Sequence, residues 1–311
     1  MKLLIFYLTD CNRHYTFPHF IELLNKSNKK NKWKLMILTH TGDNYFYNTF
    51  LHDKNINYDI LNVSPHNNYM TKVHLATTYA ENNNIPYMMK CDNDVFLHSS
   101  TLDYMIDNLD ILNNNEILTL GPILSSGIPG VEYFTEKFLS YDHKIILEKM
   151  YLNTSFYNRD GAIYENLNKY TINSQLWNKS DFFNEVKNMN HHYKGIHPIR
   201  FNYAANIYLN NCIIKNKDNF FEQNPNGIII DNVSPYLCDT IFCIKTNIYK
   251  NIINDNSLFV DAYDEVPLNK YAWNNKMSHA FIDNSFAIHI TYNWNNNIIE
   301  YEKEFCNNLF N

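Results

Sequence analysis

Two acids one residue apart, Asp92 and Asp94, end the run Tyr87-Met88-Met89-Lys90-Cys91 and stand directly before Val95-Phe96-Leu97. Carboxylates that close repel each other unless a cation lies between them. Hard oxygen donors suit Mg²⁺ or Mn²⁺, and Mg²⁺ of this kind is commonly shared with substrate phosphates. A bare Asp-x-Asp is short and frequent, and Asn93 adds turn propensity, so an ordinary turn is the plainer reading. The apolar flanks argue against it, because they imply a buried loop in which an unpaired carboxylate is costly. Tyr87 to Cys91 reads as a short buried parallel strand. The acids then lie at the carboxyl edge of a sheet, where open α/β sheets bind ligands.

The elements needed to hold that loop are legible. Lys2 to Leu8, Trp33 to Leu38 and Tyr58 to Val63 read as strands. Phe17, Phe20, Ile21 and Leu24 fall at helical spacing behind Thr16, a candidate N-cap, and Pro18. Tyr69, Val73, Ala76 and Ala80 mark a second helix, which carries Lys72. Ser100 with Asp103 reads as an N-cap pair opening a helix with Leu102, Met105, Ile106 and Leu109 on its buried face. Ile117 to Leu124 is a further strand, followed by the turn-rich Ser125-Ser126-Gly127-Ile128-Pro129-Gly130. Strand and helix alternate, which predicts an α/β fold with a mostly parallel, doubly wound sheet.

Composition narrows the function classes. The chain has 311 residues, 45% of them hydrophobic and 15% aromatic, enough for a substantial core. Its formal net charge of -6 gives no basic field for nucleic acid. The six cysteines are scattered and form no C-x-x-C pair, so they read as reduced thiols of a cytoplasmic protein. No apolar run approaches the length of a transmembrane helix, and Leu3 to Leu8 is too short for a signal peptide. The seven glycines form neither G-x-G-x-x-G nor G-x-x-x-x-G-K-[ST]. A nucleotide bound without a glycine cradle needs its phosphates neutralised otherwise, and a metal on the two carboxylates does that.

Lys90-Cys91-Asp92-Asn93-Asp94-Val95-Phe96-Leu97 resembles the Asp-x-Asp segment of GT-A-fold glycosyltransferases. The resemblance implies one GT-A-like domain over residues 1–311, with a nucleotide-sugar half (1–125) and an acceptor half (126–311). It implies Mn²⁺ or Mg²⁺ on Asp92 and Asp94, a nucleotide-diphosphate sugar as donor and a glycan as acceptor. Thr9 and Asp10, ending the first strand, and Lys72 and Asn93 would then meet the nucleotide; for Lys72 a solvated lysine is the plainer reading.

Later segments extend the likeness. Asp264-Glu265 opens a helix with Val266, Lys270 and Trp273 on one side. Acids there are favoured by the helix dipole alone, but GT-A enzymes carry an acidic pair at this place, and inverting members use one acid as base; of the two, Asp264, closer to the loop, is the expected base, and Glu265 is the better placed to cap the helix. His289, in the apolar strand Ser285 to Tyr292, reads as a core residue on pattern alone; the resemblance implies a third metal ligand. Tyr292-Asn293-Trp294 offers stacking and hydrogen-bonding groups for a sugar diphosphate. Asp264 to Asn269 is also similar to segments in transferases of large DNA viruses and bacterial surface-glycan clusters. Absence of glycine after Gly227 departs from the family pattern. Residues 150–226 read as an irregular acceptor-side insertion, with His191-His192 in a surface loop. A sugar-phosphate nucleotidyltransferase or a non-catalytic glycan-binding protein of the same fold are the alternatives.

Overall fold

The computed structural model describes the chain except residues 10, 40–43, 64–68, 98–99, 126–129, 153–202, 217–226, 232–236, 239, 259–263, 290–302, 305 and 309–311. Asp10, Ser126 to Pro129, His191-His192 and Tyr292-Asn293-Trp294 lie outside the described residues, as does most of the 150–226 insertion.

Among the described residues nine strands form one sheet in the order β3-β2-β1-β4-β8-β6-β9-β5, with β7 also on β9. They are β1 (Leu3–Leu8), β2 (Trp33–Thr39), β3 (Tyr58–Asn62), β4 (Tyr87–Asp92), β5 (Val95–Leu97), β6 (Ile117–Leu124), β7 (Ile228–Asp231), β8 (Ile241–Lys245) and β9 (Ser278–His289). β1, β2, β3, β4, β6 and β9 run one way, and β5, β7 and β8 the other. The α/β fold with a mainly parallel sheet flanked by helices is as the sequence predicts. β4 departs from it in part: parallel to β1, it is antiparallel to β8.

Alternation along each strand divides the core between two helical layers. Leu4, Phe6, Leu8 and Met88 face α3 (Tyr69–Asn82), and the same side takes Tyr249 and Ile252 from α8 (Thr246–Asn254) and Leu268 and Ala272 from α9 (Glu265–Asn274). Leu3, Ile5, Tyr7 and Met89 face α1 (Phe17–Lys26), α2 (Asn44–Leu51) and α4 (Thr101–Asp107). Helices α5 (Gly130–Phe138), α6 (Tyr141–Leu152) and α7 (Tyr203–Lys215) also flank the sheet, with Phe134 and Leu209 on the α3 side. A Cβ at Gly130 would collide with the Leu124 carbonyl, so this glycine lets α5 start hard against the end of β6. Among the described residues no helix is long and apolar enough to cross a membrane.

Two local expectations are corrected. Thr16 does not cap α1; its hydroxyl donates to the Arg13 carbonyl at 2.8 Å. Ser100 makes no side-chain cap on α4, and Asp103, the other half of the expected pair, accepts instead from Ser27 Oγ at 2.5 Å and Asn28 N at 3.0 Å. The α9 helix forms where Asp264-Glu265 predicts it and buries Val266, Pro267, Leu268, Asn269 and Ala272, with Lys270 and Trp273 half-buried.

Candidate active site

The parallel direction of β1, β4, β6 and β9 puts Thr9, Asp92, Ser125 and His289 at one edge of the sheet, the carboxyl edge. β4 ends at Asp92, directly beside Leu8 of β1. Asn93 and Asp94 turn the chain, and β5 then pairs antiparallel with β9, setting Val95 opposite His289. That register brings His289 Nε2 within 3.4 Å of Asp94 Oδ2. His289 is 3% exposed, and its backbone N–H donates to Ser125 Oγ at 3.2 Å. It is therefore buried, as a core histidine would be, and also aimed at the acidic motif.

Asp92 points to the other layer, on the same face as Lys90 two residues before it. Lys90 is 1% exposed. Its ammonium lies 3.3 Å from Asp264 Oδ1 and 3.9 Å from Asp92 Oδ1. The rings of Tyr69 and Phe242 stand 4.8 Å and 5.9 Å from that ammonium, close enough for cation–π attraction. Asp264 is fully buried, and Tyr249 OH donates to its other oxygen. Such surroundings suit a carboxylate that holds its neighbours in place, not one that must reach a substrate hydroxyl. Glu265, the first residue of α9, is half-buried beside it.

The Asp92 carboxyl is raised to about 7, chiefly by burial; the Lys90 ammonium opposes that rise, and the Asp94 and Asp264 charges add to it. Asp92 Oδ1 is buried and accepts no hydrogen bond among the described residues. The same is true of Thr240 Oγ1, whose carbonyl accepts from Asp92 N at 3.0 Å across the start of β8. Sequence reading missed Thr240, since nothing in its own neighbourhood marks it as opposite Asp92.

The remaining candidates are placed as follows. Thr9 is 3% exposed and its hydroxyl meets Tyr47 OH at 3.0 Å. Asn93 is 7% exposed in the turn between the acids. Lys72 is not a solvated lysine: it is 4% exposed and donates to the Thr9 carbonyl at 3.0 Å, tying α3 to the end of β1.

Among the described residues no three His, Cys, Asp or Glu side chains converge as a metal cage. The structure brings Asp94 and His289 together and leaves Asp92 turned towards Lys90. The donor set still fits a hard divalent cation: two carboxylates and an imidazole, with one buried carboxylate oxygen lacking a donor.

No family description and no curated protein matches the chain. Among solved structures it is similar to S. aureus TarS, at 16% identity and a TM-score of 0.31 over 42% of this chain and 22% of that one. It is similar also to the mannosyltransferase PcManGT from Pyrobaculum calidifontis, solved with GDP-Man and Mn²⁺, at 8% identity and a TM-score of 0.31 over 39% of this chain and 35% of that one. A 4-diphosphocytidyl-2C-methyl-D-erythritol synthase from Anaerococcus prevotii matches at 8% identity and a TM-score of 0.47, over 98% of this chain and 96% of that one. The chain thus spans less than a quarter of TarS.

Proposed function

We propose that the protein is a metal-dependent glycosyltransferase of GT-A type, moving a sugar from a nucleotide-diphosphate donor to a hydroxyl of a glycan. The observation that carries this is the meeting of Asp94 and His289, from distant parts of the chain, at the carboxyl edge of the sheet beside Asp92. Asp94 and His289 would hold the divalent cation, with Asp92 completing the set after its side chain turns from Lys90. A cation so held supplies positive charge against the diphosphate and its developing charge as the leaving group departs.

The chain's own residues divide the rest of the work. Lys90 offsets the charge of Asp92 and Asp264 inside the fold, so that buried acids can stand near a bound anion. Asp264 is a positioning residue, fixing Lys90 and Tyr249 at the entry to α9. Glu265 takes the acceptor proton as the hydroxyl attacks the anomeric carbon, in an inverting transfer. Thr9 closes the nucleotide side.

The test is calorimetric binding of UDP and GDP with and without Mn²⁺, followed by product analysis with a panel of nucleotide sugars. Metal-dependent binding with sugar transfer supports the reading; absence of nucleotide binding in Mn²⁺ sinks it. A nucleotidyltransferase is the second reading: such an enzyme is expected to carry a glycine-rich, arginine-bearing loop after β1, and Arg13 does reach the acidic motif from there, although residues 9–13 hold no glycine. Release of pyrophosphate from a nucleoside triphosphate plus a sugar phosphate would identify it.

A further inference from the structure

Arg13 stands in the six-residue turn Cys11–Thr16 that follows β1, where its backbone leaves helical geometry (φ -122, ψ 34). Its root is fixed. The Arg13 carbonyl accepts from Thr16 Oγ1, and that oxygen also meets Tyr7 OH of β1 at 3.2 Å. From this root the guanidinium reaches Asp94 Oδ2 at 3.7 Å, the same oxygen that faces His289. The separation is too long for a hydrogen bond, so the contact is an ion pair only. The two side chains are 19% and 18% exposed, unlike the enclosed Lys72 and Lys90. An ion pair of this looseness contributes little and exchanges easily.

We propose that Arg13 is a diphosphate-binding residue that holds Asp94 in the ligand-free protein and passes to the phosphate oxygens once Asp94 turns to a divalent cation. The inference rests on the reading that Asp94 is a metal ligand in a nucleotide-diphosphate site. One carboxylate oxygen cannot keep both partners: the divalent charge binds it more strongly and repels the guanidinium. A diphosphate arriving at an edge lined by Asp92 and Asp94, in a chain of net charge -6, needs fixed positive charge close by. The planar guanidinium fork matches two phosphate oxygens at once, which an ammonium does not. Arg13 therefore acts with opposite sign on the two ligands, as competitor of the metal and partner of the nucleotide.

Calorimetry on the full chain reads both signs, with Mn²⁺ alone and then with UDP or GDP in saturating Mn²⁺. Arg13→Gln is expected to bind Mn²⁺ alone about two- to fivefold more tightly, the size of releasing a loose, partly exposed ion pair. It should bind the nucleoside diphosphate roughly 10- to 100-fold more weakly, as loss of a charge-assisted hydrogen bond predicts. Uridine and guanosine, which lack phosphate, should bind both proteins alike. Arg13→Lys keeps the charge and should recover part of the nucleotide affinity. A merely structural role lowers both affinities in Arg13→Gln, and that result, or two unchanged affinities, overturns the inference. If the native protein itself binds neither UDP nor GDP in Mn²⁺, the transfer reading falls together with it.

Discussion

Lys90 shows what single residues contribute here. Its ammonium is enclosed by Asp264, Asp92 and two rings, and each acid depends on it for neutralisation. Removing one partner of a buried ion pair costs roughly 3–5 kcal/mol, because the remaining charge is stranded. Lys90→Met should therefore lower the unfolding free energy by about that much in urea titrations. Lys90→Met with Asp264→Leu should recover part of it, since the nearer and more deeply buried of the two acids is gone while Asp92 remains; a double variant no more stable than the single one would refute the pairing. Asp94→Asn makes a second test. It should leave the melting temperature in EDTA nearly unchanged and abolish the Mn²⁺-dependent part of nucleoside diphosphate affinity in calorimetry. The acids and His289 were visible as residue types in the sequence. Lys90 was not singled out, although a lysine inside an apolar run just before two acids was a usable sign. Its main partner lies 174 residues away, and no local pattern encodes such a pairing.

At the scale of elements, periodicity found most of the strands and most helix faces, because burial of one side leaves a trace every second or every third and fourth residue. It could not give strand direction. β8 has the apolar run of a central strand, and its antiparallel insertion between β4 and β6 depends on how the chain returns. The helix caps failed for a different reason: Thr16 and Asp103 have the right chemistry but spend it on Arg13 and on the Ser27 turn. Polar residues between elements are as informative as those that start them. Lys34 of β2, Asp59 of β3 and Tyr79 of α3 form a triangle at one border of the sheet, with 2.7 Å contacts. Burial raises Asp59, but the bonds from Lys34 and Tyr79 outweigh it and hold the carboxyl below its usual value. A depressed carboxyl stabilises the fold above its unfolded pKa, about 3.9, and that stability fades as pH falls through the lower folded value. Asp59→Asn should thus melt slightly earlier than the native protein at pH 7, by less than about 1 kcal/mol at this exposure. The difference should shrink below roughly pH 4; a constant difference across that range would exclude the ionic contribution.

For the whole molecule, the α/β class was readable, whereas the stretch at 150–226 was not: Tyr151 to Trp177 mixes aromatics with asparagine and keeps no period, and the helical spacing of Ala205, Leu209 and Ile213, buried in α7, was passed over. Ligands that bind only the native fold should stabilise all of it. Mn²⁺ with UDP or GDP at about a hundred times the dissociation constant should raise stability by roughly 2.7 kcal/mol, read as a shift in thermal melting. Either component alone should shift it less. The placement of β9 has a consequence for how the chain is made. β9 is late in sequence yet sits inside the sheet, gripped by β6 on one side and by β7 and β5 on the other. On the ribosome, β6 and β5 emerge long before their shared neighbour and must wait with open backbone edges. Such edges recruit other chains, so the nascent protein should lean on chaperones until residue 289 is out, and only then can its Asp94 meet His289.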